Sequence, residues 1–269
     1  MKTILSLSLI LALTASCQNN NKSEPSMTKE VPTEQEMPQD QWITLFDGSN
    51  FDNWRGYLSE EMPEAWSIQD SAMVFTPGGK GGQNIITKDV FFNFELSLEW
   101  NIASGGNSGI FWGVMEDPAY PEAYQSGPEI QVLDNAKHPD AFVGEGTHTA
   151  GALYDMIAPS ADHTNPAGSW NHCVLRVDHR INQGLVFMNT NQIVAFPLDG
   201  PDWDAMVAKS KFADWPVFGK SPKGHIGLQD HGDQVSYRNI KIKHLIDLKG
   251  SLSLIPAHRG PTNFCCYGS

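Results

Sequence analysis

Two segments almost a hundred residues apart, Gly127-Pro128-Glu129-Ile130-Gln131-Val132-Leu133-Asp134 and His225-Ile226-Gly227-Leu228-Gln229-Asp230-His231-Gly232, alternate apolar side chains with acid, amide or imidazole groups. The period of two is that of a strand, so Glu129 and Gln131 share one face and Ile130 and Val132 the other. Asp134 falls opposite Glu129 unless a bulge intervenes. In the second segment Gln229 and His231 share a face, with Ile226 and Leu228 behind them. An ordinary half-buried strand shows Lys, Thr and Ser to solvent. A carboxyl and an imidazole that exchange protons near neutrality, beside carboxamides that hold polar ligands, point instead to a lined cleft.

The elements that must position these groups are strands. From Trp42 onward short apolar runs are punctuated by Gly, Pro and Asn, with little helical period. Strands are predicted at 74–75, 92–100, 109–114, 129–133, 171–178, 185–188, 192–196, 224–228 and 235–244, with a hairpin turn at Asn189-Thr190-Asn191. Residues 201–208, opening on Pro201, carry the start signal and apolar spacing of one short helix. Sheets of this composition must bury one face against another, so the expected fold is all-β, a sandwich of two antiparallel sheets with one short helix. No internal repeat and no second domain is expected.

The ends of the chain read differently. Lys2 precedes an apolar run over 4–13 that is too short to cross a bilayer, and Leu13-Thr14-Ala15-Ser16-Cys17 follows. This resembles a bacterial lipoprotein box, with 1–16 removed and Cys17 lipidated; the alternative is a secreted protein cut near Ala15. Residues 17–40 are polar, carry several prolines and lack an apolar period, as a flexible tether does. The expected organisation is leader 1–16, lipidated Cys and tether 17–40, sandwich domain 41–246, and a tail 247–269 of no assigned role. Such a protein sits in the cell envelope, membrane-anchored and facing the periplasm or the exterior. The formal charge of −13 becomes −14 without the leader, which argues against nucleic acid and repels an anionic lipid surface, leaving neutral ligands. Of four cysteines, Cys173 lies in an apolar run as a buried thiol, and Cys265-Cys266 lack the spacing of a metal site.

Seven pieces in one order then carry a resemblance. They are Leu45-Phe46-Asp47-Gly48 with Phe51 and Trp54; Ser104-Gly105-Gly106-Asn107-Ser108-Gly109-Ile110-Phe111; Glu129-Ile130-Gln131-Val132-Leu133-Asp134-Asn135; Gly151-Ala152-Leu153-Tyr154 with Ala158-Pro159; Pro166-Ala167-Gly168 with Trp170-Asn171; Ser210-Lys211-Phe212; and Gly227-Leu228-Gln229-Asp230-His231-Gly232 with Tyr237-Arg238-Asn239-Ile240-Lys241-Ile242. Over roughly 42–245 the chain resembles the 3-keto-disaccharide hydrolase family, also described as 3-keto-glucoside 1,2-lyases and 3-keto-2-hydroxyglucal hydratases. The resemblance implies a concanavalin-like jelly roll whose concave face holds an oxidised glucoside or disaccharide.

Chemistry on such a substrate follows from its ketone. A carbonyl at C3 acidifies the C2 hydrogen, so a base removes it, the enolate is held, the C1 substituent leaves and water adds back. The site needs a base near neutrality, a polariser for the carbonyl and an acid for the leaving oxygen. Glu129 or His231 is expected to act as base or acid, and Gln131 and Gln229 to bind hydroxyls or the ketone. Order along the chain does not divide base from acid. Four further residues are candidate substrate contacts, each with a structural alternative. His148 is otherwise an exposed loop residue, Tyr154 a core residue with a satisfied hydroxyl, Arg238 the partner of an acid beneath the cleft, and Asn107 part of a turn.

A divalent metal held by Glu129, Gln131, His148 and His231 would polarise the ketone, although no metal-ligand spacing accompanies these residues. Among eight tryptophans, Trp66, Trp100 and Trp170 fall in core-patterned segments, while Trp112 or Trp215 is expected to meet a ligand ring. No dinucleotide fingerprint is present, so a separate oxidoreductase is expected to make the ketone. Two rivals remain. A laminarinase-like glycosidase needs a second acid where Gln131 stands, and a noncatalytic carbohydrate-binding module would use the same fold.

Overall fold

The computed structural model describes residues 41–78 and 83–245. The expected leader, lipidated Cys17, tether, Cys265, Cys266 and the tail beyond 246 lie outside the described residues. The strands in chain order are β1 (Ile43–Phe46), β2 (Trp54–Gly56), β3 (Trp66–Gln69), β4 (Ala72–Phe75), β5 (Ile85–Thr87), β6 (Phe94–Ile102) and β7 (Asn107–Val114). They continue as β8 (Glu129–Leu133), β9 (Asn171–Asp178), β10 (Gln183–Met188), β11 (Asn191–Phe196), β12 (His225–Leu228) and β13 (Val235–His244), with one helix, α1 (Gly200–Val207), between β11 and β12. The short strands β1, β2, β3 and β5 add to those read from the sequence; three or four residues are too few to display a period.

All pairings are antiparallel and form two sheets. The larger runs β11-β10-β9-β6-β13-β4-β3 with β1 also on β13, and the smaller runs β2-β5-β12-β7-β8. They enclose one main core. Leu96, Leu98 and Trp100 of β6, Leu175 and Val177 of β9 and Val186 of β10 pack against Ile110 and Trp112 of β7, Ile130 and Val132 of β8 and Ile226 and Leu228 of β12. The fold is the expected jelly-roll sandwich. Strand β13 keeps its apolar face inward only because a bulge between Arg238 and Lys241, with Asn239 at φ +53°, switches parity from Val235 and Tyr237 to Ile240 and Ile242.

Local chemistry explains the turns that matter. The β10–β11 hairpin turns on Asn189 (φ +46°) and Thr190 (φ +75°), the positive dihedrals that match strand twist. The Asn189 amide fastens the turn, donating to the His163 carbonyl while its oxygen accepts from the His172 amide, both at 2.8 Å. Helix α1 starts one residue earlier than expected and buries Trp203 and Val207, one turn apart. Cys173 is a buried free thiol, its pKa pushed up to about 12 by burial.

Leu98, 1% exposed at the centre of β6, is flanked by β9 and β13. Leu98→Ala is expected to cost about 2–5 kcal/mol, read as a lower urea midpoint at unchanged m-value.

Candidate active site

Three adjacent strands of the smaller sheet build the floor of a hollow. In register across them lie Gln131 of β8, Gly109 of β7 and Gln229 just past β12, whose amide donates to the Gly109 carbonyl at 3.0 Å. Glycine at the centre leaves room for an acid: a Cβ on Gly109 would overlap the Glu129 carboxyl. Glu129 and Asn107 complete the floor on the same faces of β8 and β7. Gln229 is pinned from beneath by Ser108, whose hydroxyl donates to the Gln229 carbonyl at 2.8 Å and also meets the Tyr237 hydroxyl.

Loops supply the walls. Residues 151–154 run along the outer edge of β8, the Tyr154 amide donating to the Glu129 carbonyl at 3.0 Å, and so bring the Tyr154 ring over the floor. After α1, Phe212 and Phe218 stack at 3.9 Å between centroids, and Trp215 sets its edge to both. Lys211 is held there by its backbone amide, which donates to the Asp155 carboxylate at 2.6 Å, and its ammonium sits 4.1 Å above the Tyr154 ring. Tyr124 tilts against Trp215. Asn107, Tyr124, Glu129, Gln131, Tyr154, Lys211, Phe212, Trp215, Gln229 and His231 thus line one space of about 350 Å³, the low end of small-ligand sites.

The polar groups of the floor are poised rather than satisfied. Oδ1 of Asn107, Oε1 of Gln131 and Oε1 of Gln229 are buried without a hydrogen-bond partner. Each such atom costs about 1–3 kcal/mol of desolvation. Burial pushes the Glu129 carboxyl up to about 8; the Lys211 ammonium opposes the shift and Asp140 adds to it. Glu129 is the sole carboxylate among the described residues lining the hollow. At the rim His231 is exposed in the main, yet desolvation by its neighbours holds the ring below the ordinary imidazole value against the opposing charge of Asp233.

Six residues singled out from the sequence meet here: Glu129, Gln131, Asn107, Tyr154, Gln229 and His231. Two do not. His148 stands behind the wall with both ring nitrogens taken, Nδ1 by Asp140 at 3.1 Å and Nε2 by Asp155 at 2.8 Å, and its ring 4.6 Å from Tyr154. It is a prop for Tyr154 and Lys211, not a substrate contact. This also dissolves the expected metal shell of Glu129, Gln131, His148 and His231, since His148 has no nitrogen to offer. Arg238 belongs to the larger sheet, where it pairs with Glu99 at 2.7 Å and lies 4.0 Å from the Trp170 ring. Its guanidinium found an acid, as the alternative reading had it, and does not reach the hollow.

Other expectations shift similarly. Trp112 is core, packed on Phe196, and only Trp215 of the two proposed tryptophans lines the hollow. Trp66 and Trp100 are core, whereas Trp170 is half-exposed beneath Arg238. Asp134 is buried and accepts from the Gly105 and Ala136 amides at 2.7 and 3.1 Å, bracing the turn into β7. Lys211, Phe212 and Tyr124 were not foreseen. The one signal for Lys211 was its place in the Ser210-Lys211-Phe212 piece, because a lysine in a loop carries no period that points it anywhere.

Fold and hollow together define a jelly-roll protein with a polar hollow on its smaller sheet. The chain belongs to the family described as the 3-keto-alpha-glucoside-1,2-lyase-like domain, whose model matches residues 41–243. It is 36% identical over 233 residues to a 3-keto-disaccharide hydrolase of Bacteroides thetaiotaomicron, covering 77% of this chain and 79% of the relative. Two crystal structures of Parabacteroides distasonis proteins, assigned provisionally as glycosyl hydrolases, share the fold. One is 27% identical with a TM-score of 0.69, covering 76% of this chain and 94% of its own. The other is 28% identical with a TM-score of 0.58, covering 77% and 100%.

Between pH 4.5 and about 8 the folded chain holds a proton on Glu129 that the unfolded chain releases, so this group's contribution to stability falls as pH rises through that window. Glu129→Gln, uncharged throughout, is therefore expected to be more stable than the parent at pH 8. The difference in urea midpoint should close toward pH 4.5.

Proposed function

We propose that the protein cleaves 3-keto-glycosides, with Glu129 as the group that carries the proton. Support comes first from one observation: three buried carboxamide oxygens without partners surround a single raised carboxyl. Sugar hydroxyls are the donors such oxygens require, and a carboxyl with a pKa near 8 is matched to removing a carbon-bound proton near neutrality. The family and its Bacteroides relative act in the same direction.

In this reading a pyranose ring rests on Gln131, Gln229 and Asn107 with Tyr154 and Trp215 beside it. Ionised Glu129, its charge offset by Lys211, takes the hydrogen from C2. The C–H electron pair moves to the C2–C3 bond and pushes the carbonyl pair onto the C3 oxygen. Return of that pair forms C1=C2 and expels the C1 oxygen, which receives the proton from Glu129. Water then adds in the reverse sense, hydroxyl to C1 and hydrogen to C2 through the same carboxyl. The net change is hydrolysis, and one carboxyl serves both halves. A two-acid glycosidase is disfavoured because an amide stands at Gln131 and no second carboxylate lines the hollow among the described residues. A noncatalytic module gains nothing from an unpaired buried acid. In the same reading a separate oxidoreductase supplies the ketone, and the enzyme works on the cell envelope as a lipoprotein anchored through Cys17.

The full chain incubated with 3-keto-trehalose and 3-keto-lactose in deuterated solvent should release 3-keto-glucose carrying deuterium at C2, and leave the unoxidised parents intact. Turnover of the parents at equal rate, or product without deuterium, removes the reading. Glu129→Gln should lower kcat by roughly 10²–10⁴, and parent kcat/KM should climb with pH toward about 8 as the carboxyl ionises. Gly109→Ala, by displacing the same carboxyl, should cost about 10² in kcat with the far-ultraviolet circular dichroism unchanged.

A further inference from the structure

The elimination needs an electrophile for the C3 oxygen, and the lysine of the hollow is engaged elsewhere, over Tyr154 and beside Glu129. At the rim, among the described residues, His138, His231 and Asp233 each bring one ligand atom into a group whose members all lie within 4.8 Å of one another. The three come from two loops, one following β8 and one following β12, and His138 and His231 meet edge to face at 6.2 Å between centroids. We propose that His138, His231 and Asp233 bind a divalent transition-metal ion at the mouth of the hollow. Resting on the function proposed above, the ion would hold the C2 hydroxyl and C3 carbonyl oxygens of the substrate and draw charge from the carbonyl.

Chemistry favours this set over a chance cluster. Two imidazoles and one carboxylate leave coordination positions open, the arrangement of metal centres that bind substrate. His231 also lines the hollow, so an ion on it faces the ligand. Asp233 is tied to the floor, one of its oxygens accepting from the Asn107 amide at 3.1 Å, which leaves the other to an ion. Ligand distances of about 2.1 Å put neighbours at most about 4.2 Å apart, so modest closure is needed, and the exposed His231 is free to turn. His138 must give something up. Its Nδ1 accepts from the Asp140 amide at 3.1 Å, and ligation through Nε2 moves the ring proton to Nδ1. The loss of one backbone hydrogen bond is small against metal binding. The mixed nitrogen and oxygen donors suit Zn²⁺ or Mn²⁺ over Ca²⁺.

The test titrates the chelator-stripped full chain with ZnCl₂, MnCl₂ and CaCl₂ by calorimetry without substrate, and follows the Asp140 amide by nuclear magnetic resonance. One equivalent of Zn²⁺ or Mn²⁺ should bind, Ca²⁺ should not, and the Asp140 amide should shift. His138→Gln and Asp233→Asn should each weaken binding by at least about tenfold to a hundredfold at unchanged melting temperature. If the stripped chain binds neither ion at one equivalent, or both variants bind as the parent does, the site is overturned. Undiminished turnover of 3-keto-trehalose by the stripped chain overturns the ion's role and leaves the reaction standing. Stoichiometric binding in a chain that turns over no 3-keto sugar supports the ion site and removes the proposed reaction instead.

Discussion

The site depends on one constraint: the Glu129 carboxyl occupies the space that a side chain at Gly109 would fill. That substitution of carboxyl for Cβ carries the acid down onto the sheet, where it is 7% exposed. Desolvation then raises its proton affinity. Any side chain at 109 would have to displace that carboxyl. The burial of Glu129 and its raised proton affinity thus depend on the missing side chain of β7.

The arrangement lowers stability locally. A desolvated acid and three unpartnered amide oxygens each oppose folding. They persist because the other face of the same strands is committed to a core: Ile110, Ile130, Val132 and Leu228 are at most 1% exposed. Alternation lets one strand serve both purposes, with the stabilising face and the reactive face one residue apart.

Floor and walls are held by different means. Strand pairing fixes Glu129, Gln131 and Asn107, whereas Tyr154 and Lys211 depend on a hydrogen-bonded chain in the loops. Asp140 takes the Tyr154 hydroxyl at 3.0 Å and one nitrogen of His148, and Asp155 takes the other nitrogen and the Lys211 amide. Burial pushes the Asp140 carboxyl up, but the hydrogen bonds from His148 and Tyr154 outweigh it and leave it below the ordinary range, so it stays an acceptor. His148 is the joint that couples the two loops.

Much of the sandwich was legible along the chain because strands announce themselves by period. Spans 129–133, 171–178 and 235–244 match β8, β9 and β13 residue for residue, and the shared faces of Glu129 with Gln131 and of Gln229 with His231 follow from alternation alone. Within the site, the groups on strands or just beyond them were readable for the same reason. Of the wall residues on loops only Tyr154 was named. Lys211, Phe212, Tyr124, His138 and Asp233 reach the hollow or its rim through turns that have no repeat, and His148 and Arg238 were misdirected because an imidazole or guanidinium is read as functional until its partner is seen. Periodicity encodes the direction of a side chain relative to its own backbone. Which distant carboxylate it finds is set by how two sheets and their loops close on one another, and tertiary structure alone decides that.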